Sequence, residues 1–180
     1  MTSDKKAAWG NVFQTRGVLV VCWGTLTDDV CRRVLKCSTA DLYHSLTITK
    51  EGEIRNSRFA SDVDAANVVV ALFIACGQDA ACAVDGSWCQ LTPEYNYKTG
   101  ELRFSLFFPS LSVGVIGGGT AYPAQRECLG LLKCDGTGMK GRLAGLIAGF
   151  SLAPDVSTCA APTNNTFTDA HIRLRKKASP

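Results

Sequence analysis

Three groups in this sequence have the right chemistry to act on a substrate. They are an ammonium pair near the start, a carboxylate inside an otherwise apolar run, and an imidazole near the end. The first is Asp4-Lys5-Lys6, the second is Asp79 within Ala75-Cys76-Gly77-Gln78-Asp79-Ala80-Ala81, and the third is His171 within Thr168-Asp169-Ala170-His171. An ammonium fixed beside a forming oxyanion is a strong electrostatic catalyst where water is excluded. An aspartate ionised in apolar surroundings needs a cation, and Lys5 is the natural candidate. Pairing lowers the proton affinity of such a carboxylate, whereas burial alone raises it. Each group also has a plain structural reading: a solvated arm for residues 4–6, a structurally paired buried acid for Asp79, and a satisfied imidazole for His171. The only other histidine, His44, is assigned a structural role.

The elements that must position these groups follow from the patterning. Gly17 to Leu26 is valine-rich and predicts a strand. Thr27 is an N-cap candidate with Asp28 and Asp29 in the first turn of a helix to about Cys37. Ser38 or Thr39 caps a second short helix bearing His44, and Ser45 to Thr49 alternates weakly, as a strand would. Residues 62–84 form the dominant apolar segment. Its length nearly suits a membrane span, but polar interruptions favour a central buried helix. Asn67 and Gln78, eleven residues apart, would then share a face, with Asp79 pointing elsewhere. Glu101 to Pro109 alternates as a half-buried strand after a turn at Asn96–Gly100. Ser112 to Ile116 predicts another strand, ended by Gly117-Gly118-Gly119. Pro123 opens a helix to about Leu132. Further helices are expected over Arg142–Leu152, from Pro154 through Ala161, and from Phe167 to Lys177. The fold class is α+β, with strands packed around a long buried central helix.

Composition bounds the rest. At 180 residues, 46% hydrophobic and 19% charged, the chain is one domain with room for a real core. A formal charge of +3 does not suggest nucleic acid, although Arg173, Arg175, Lys176 and Lys177 make a short basic run. The nine cysteines include no Cys-x-x-Cys pair, and the polar opening residues lack the pattern of a signal peptide. Reduced core thiols in a cytoplasmic protein are expected, with no metal site and no membrane span.

Read together, these motifs resemble the catalytic domain of class I HMG-CoA (3-hydroxy-3-methylglutaryl-CoA) reductases. Asp4-Lys5-Lys6 followed by Arg16-Gly17, the Asp79 segment, Gly114-Val115-Ile116-Gly117-Gly118-Gly119-Thr120 and the His171 segment all carry the likeness. The resemblance implies a large-domain-like α+β fold. It also implies Lys5 as the ammonium that stabilises charge on a carbonyl oxygen, Asp79 as its carboxylate partner, and His171 as the general acid to a departing thiolate. Substrate contacts are implied for Asp4, Lys6, Lys50, Asn67 and Ser157. The likeness covers only the second half of that catalytic domain, so no NADP(H)-binding domain and no cofactor are expected. Residues 1–16 would be an arm carrying Asp-Lys-Lys, and 17–180 a truncated substrate domain. The sequence also departs from the family pattern: Asp64 stands where the family has a ligand-contacting histidine, Pro154 replaces a glycine, and Asn165-Thr166 replaces a Gly-His pair.

Retained chemistry in an altered pocket leads to the expectation of a cofactor-independent acid/base enzyme. Its reaction would be an isomerisation, dehydration or cyclisation of a carbonyl-containing metabolite. A split or fragmentary component of a true NADPH-dependent reductase of isoprenoid biosynthesis is the alternative, and a non-catalytic regulatory protein a third. Apolar faces left uncovered by the missing half imply a homodimer.

Overall fold

The computed structural model describes residues 5–13, 16–168 and 172. Its elements in order are α1 (Gly10–Phe13), β1 (Val18–Leu26), α2 (Asp28–Val30, continued by a π-helical turn Cys31–Leu35), α3 (Thr39–Arg55), α4 (Ala65–Ala75), α5 (Ala83–Gly86), β2 (Gln90–Tyr95), β3 (Leu102–Leu111), α6 (Pro123–Leu131) and α7 (Lys140–Thr163). The strands form one antiparallel sheet in the order β1-β3-β2. Period-2 patterning gives that sheet a buried face, with Leu102, Phe104, Leu106 and Phe108 of β3 turned inward. Helices α3 and α7 cover it, and α4 packs against α7. The outer face of β1 leaves Leu19, Val21 and Trp23 exposed, and Arg103 lies over the Trp23 ring at 4.9 Å.

Several expectations hold. Thr27 caps α2 by accepting from the Val30 N–H, and Ser38 caps α3 by accepting from the Asp41 N–H at 3.0 Å. Pro123 opens α6. All nine cysteines are free thiols, seven of them buried. Others need correction. Ser45 to Thr49 is not a strand but the middle of α3, whose Leu42 and Leu46 keep helical spacing toward the core. Ser112 to Ile116 is irregular loop, because its backbone is drawn toward Gln78 instead of a neighbouring strand: Gly114 N–H donates to Gln78 Oε1 at 2.7 Å. The hairpin partner β2, unanticipated, arises from the turn in which Asn96 N–H donates to Glu101 O at 2.9 Å.

The central helix is α7, not the segment at 62–84. Pro154 does not start a new helix. It lies within the 24-residue α7, together with Pro162. An internal proline removes one ladder hydrogen bond, but buried Ser151, Leu152, Asp155 and Val156 anchor the helix on both sides of it. By length and apolarity alone α7 could cross a bilayer. Here ten of its residues are buried in the core. Gly149 brings it against β1, where an added Cβ would meet Cys22 Sγ at 3.9 Å.

Helix α4 ends much earlier than its apolar run. Gly77 takes φ +69, and an added Cβ there would lie 2.4 Å from the Gly119 carbonyl. The two glycines therefore pack backbone on backbone, and Gln78 is not on the helix that carries Asn67. Gly77→Ala should lower the unfolding free energy by about 2–4 kcal/mol, from strain plus the clash. Gly52→Ala, within α3 and facing open space, should raise it by about 0.5–1 kcal/mol. Urea titration of the two variants checks both signs.

Candidate functional site

The chain leaves α4 at Gly77 and turns sharply, which places Asp79 at the N-cap of a short 3-10 turn (Ala80–Cys82). Its Oδ1 accepts the Ala81 N–H at 3.0 Å. Its other oxygen meets Lys5 Nζ at 2.6 Å, with both side chains about half exposed (45% and 50%). The Lys5 hydrogen bond holds the Asp79 carboxyl below its usual range, with the Ala81 N–H adding to the effect. The same bond raises the Lys5 ammonium above its ordinary value. Near neutral pH the two form a charged pair. Lys5 itself has φ 57, in the left-handed region that side chains seldom occupy.

Buried and close-packed groups hold this pair in place. Asn11, 2% exposed, donates from Nδ2 to Lys6 O at 3.0 Å and anchors the Lys5–Lys6 loop. Gly17 lies so close to the Leu111 carbonyl, 2.4 Å from an added Cβ, that no larger residue fits there. Arg16 donates from Nη2 to Cys82 Sγ at 3.4 Å, and its Nε lies 3.8 Å from Asp85 Oδ2. On the other side Gln78 Nε2 donates to Cys76 O at 2.7 Å and Gly114 O at 2.9 Å. Those bonds satisfy the amide and tie the glycine segment to the Asp79 turn. An open concavity of about 490 Å³ is lined by Ile74, Gly77, Gln78, Asp79, Ala80, Gly118, Gly119, Tyr122 and Gln125.

Among the described sequence-based candidates, Lys5 and Asp79 are the pair brought into contact. Lys6 is exposed beside them. Asn67 lies on the first turn of α4, at the end opposite Asp79, and at about 1.5 Å rise per residue the helix separates them by roughly a dozen ångströms or more. Ser157 is exposed on α7, next to Thr158, whose hydroxyl donates to Asp64 Oδ2 at 2.6 Å. Lys50 is half-buried on α3. Asp4 and His171 lie outside the described residues, as does most of the predicted helix to Lys177. His44 is exposed on α3. Asn11, Arg16, Cys82 and Asp85 were missed as site residues. The Arg16-Gly17 pair was noted only as a motif, and nothing in the pattern of residues 82–85 marked Asp85 as lying under Arg16.

Asp64 has a structural part where the start of α4 meets α7. Its N–H, with that of Val63, donates to Asp155 Oδ1 at 2.6 and 3.2 Å. Asp155 is fully buried, and its Oδ2 has no hydrogen-bond partner among the described residues. Burial, with Asp62 and Asp64 nearby, pushes its carboxyl up to about 7, against the two N–H donors.

The glycine segment shows how these residues stand toward a dinucleotide. Gly117–Gly119 follows a loop and enters a four-residue 3-10 turn, with its neighbour Gly114 clamped by Gln78. A dinucleotide cradle of the glycine-rich kind needs a strand–turn–helix with an open helix N-terminus, which residues 114–121 do not form.

Comparison with known proteins gives a consistent picture. A family profile described as hydroxymethylglutaryl-coenzyme A reductase matches residues 1–176. The chain is 37% identical over 179 residues to the 3-hydroxy-3-methylglutaryl-coenzyme A reductase of Agrotis ipsilon, covering 95% of this chain and 22% of that protein. It is 35% identical over 185 residues to reductase 1 of Oryza sativa subsp. japonica, covering 98% of this chain and 35% of that protein. Against reductase 1 of Arabidopsis thaliana it is 34% identical over 185 residues, covering 98% and 31%. The chain thus spans between about a fifth and a third of the length of these relatives.

The acid at position 155 generates a pH prediction. Its carboxyl is raised in the fold, so the folded chain holds a proton that the unfolded chain releases near pH 4. That contribution is complete at low pH and is lost as pH rises from about 4 to about 7. The slope is at most about 1.4 kcal/mol per pH unit. Asp155→Asn, which keeps the acceptor for the Val63 and Asp64 N–H groups, should flatten this part of the stability–pH curve measured by urea unfolding.

Proposed function

This chain belongs to the hydroxymethylglutaryl-coenzyme A reductase family, and from that premise we propose that it supplies the carbonyl-polarising pair of a reductase-type site. The substrate class is a carboxylate-bearing acyl thioester. The observation that carries the reading is the 2.6 Å contact between Lys5 Nζ and Asp79 Oδ2. The ammonium offers its remaining protons to a carbonyl oxygen and stabilises the charge that develops there. Asp79 keeps the ammonium charged and aimed, and the backbone-packed glycines leave room beside it for a substrate to approach.

The pair is half open to water, and water weakens any electrostatic effect it could exert. Further polypeptide laid over it would restore that strength. Apolar side chains before and within β1, Trp9, Phe13, Leu19, Val21 and Trp23, are also exposed, and further polypeptide could cover them. These two features favour a reductase component working with additional polypeptide over a self-contained, cofactor-free acid/base enzyme. A second copy of this chain is one form the cover could take.

The test is an assay of the chain with 3-hydroxy-3-methylglutaryl-CoA and NADPH, alone and mixed with a polypeptide carrying the remainder of a relative's catalytic region. NADPH oxidation should appear in the mixture. Lys5→Ala and Asp79→Asn should each lower kcat by about 10²–10³-fold while leaving the urea midpoint nearly unchanged, because a solvent-screened pair adds little to stability. Nucleotide-independent conversion of a carbonyl substrate by the chain alone would favour the cofactor-free enzyme instead. No turnover in any arm would reject a catalytic role.

A further inference from the structure

Among the nine thiols, Cys31 and Cys37 place their sulfurs 3.7 Å apart. Cys31 is 0% and Cys37 6% exposed. A buried cysteine by itself behaves as a small apolar side chain and is chemically inert. Two with their sulfurs in contact are different, because they need close only to about 2 Å to be bonded. The backbone on either side builds this contact. Cys31 opens the π-helical turn that ends at Leu35, and Lys36 follows with φ 62. That left-handed residue reverses the chain and brings Cys37 back over Cys31. Lys36 is not glycine, so the reversal carries a steric cost that other contacts must offset. Lys36 Nζ donates to Arg33 O at 2.6 Å.

Asp28 fastens the two ends of the excursion between α2 and α3. Its Oδ1 accepts from the Thr39 N–H at 2.9 Å and its Oδ2 from Arg32 Nε at 2.6 Å. Thr39 also donates from its hydroxyl to Gly100 O at 2.7 Å, and Leu35 O accepts from Asn164 Nδ2 at the end of α7 at 2.7 Å. None of these bonds uses either sulfur, so the fold holds the two thiols face to face and raises their concentration toward each other. Their surroundings also separate their roles. Burial and the facing Cys37 push the Cys31 thiol up to about 12, which disfavours it as the first nucleophile, since the thiolate is the attacking form. Cys37 is the sulfur nearer solvent.

We propose that Cys31 and Cys37 form a reversible modification site, at which a low-molecular-weight disulfide enters at Cys37 and is displaced by Cys31 to leave an internal disulfide across the π-helical turn. In the first step the Cys37 thiolate attacks one sulfur of the small disulfide, and the other half leaves as a thiolate. In the second, the Cys31 thiolate attacks the Cys37 sulfur and expels the second half. The protein loses two thiol hydrogens and two electrons, and the small disulfide is reduced to two thiols. The cysteines are only six residues apart in sequence. So short a loop gains less from closure than a long one, which makes the bond a labile one and not a permanent staple. Closure tightens a turn whose Val30, Val34 and Leu35 wall an apolar concavity of about 250 Å³ against Leu152 and Val156 of α7. The inference is independent of the reductase reading, since it uses no residue of the Lys5–Asp79 site.

The experiment equilibrates the full chain in glutathione buffers of graded disulfide content, traps the remaining thiols by alkylation and maps the peptides by mass spectrometry. Trypsin cuts after Arg32, Arg33 and Lys36, so the peptides bearing Cys31 and Cys37 stay together only through a disulfide. The native chain should lose about 2 Da before alkylation, the mass of two hydrogens, give that linked pair as its leading product, and revert on addition of dithiothreitol. Linkage and folding are coupled. The pair should therefore form at a lower disulfide content in the native chain than in concentrated urea, and the oxidised chain should show a higher urea midpoint than the reduced one. Cys31→Ser should stop at a glutathione adduct on Cys37, and Cys37→Ser should leave Cys31 unmodified. The absence of a linked pair at every disulfide content, linkage no easier in the fold than in urea, linkage chiefly between other cysteines, or an adduct on Cys31 in folded Cys37→Ser would each overturn the proposal. If either serine variant fails to fold, the wild-type peptide map and the native-against-urea comparison still decide it.

Discussion

The contact on which the site depends is between two backbones. Gly77 and Gly119 approach so closely that neither tolerates a β-carbon, and Gln78 locks the approach with hydrogen bonds to Gly114 on both its carbonyl and its N–H. This contact stops α4 at Cys76, turns the chain outward, and sets Asp79 at the head of the next turn, where Lys5 can reach it. A longer α4 would carry position 79 around the helix axis and away from the Lys5 loop. The apolar composition of residues 65–82 favours such continuation; close packing against the glycine segment prevents it.

Much of the fold could be read from local signals. Capping at Thr27 and Ser38, the proline at the start of α6 and the alternation in β3 each depend on neighbours within a few residues. The failures have a common origin. Ser45–Thr49 and Ser112–Ile116 have strand-like composition, but the first is absorbed by the core-facing leucines of α3 and the second is held by Gln78, thirty-six residues away in sequence. Pro154 looks like a boundary, yet burial of Ser151 through Val156 carries α7 past it. In each case tertiary packing overrode a local preference.

The candidate site divides along the same line. Lys5 and Asp79 were legible as partners because an acid in an apolar run calls for a cation. Asn67 was legible as a polar position but not as a residue at the far end of α4, since its distance from Asp79 follows from where that helix stops, and Ser157 lies on the exposed side of α7. Asp64 stands at a position where the resemblance implies a ligand-contacting histidine. In the fold it accepts from Thr158 and presents its N–H to Asp155, tying α4 to α7. Arg16, Cys82 and Asp85 meet only because Gly17 seats the end of the Lys5 segment against β3, a contact that no periodicity encodes.

The aromatic residues around that segment have a practical consequence. Trp9 lies 5.8 Å from Trp88 and 5.7 Å from Phe59, whereas the third tryptophan, Trp23, sits apart on the sheet under Arg103. Two of the three indoles thus form one cluster that joins the Lys5 loop to the α5 region. Undocking of that loop would part the coupled rings and leave Trp23 undisturbed, so the native emission of the protein doubles as a built-in optical gauge of whether its lysine is seated.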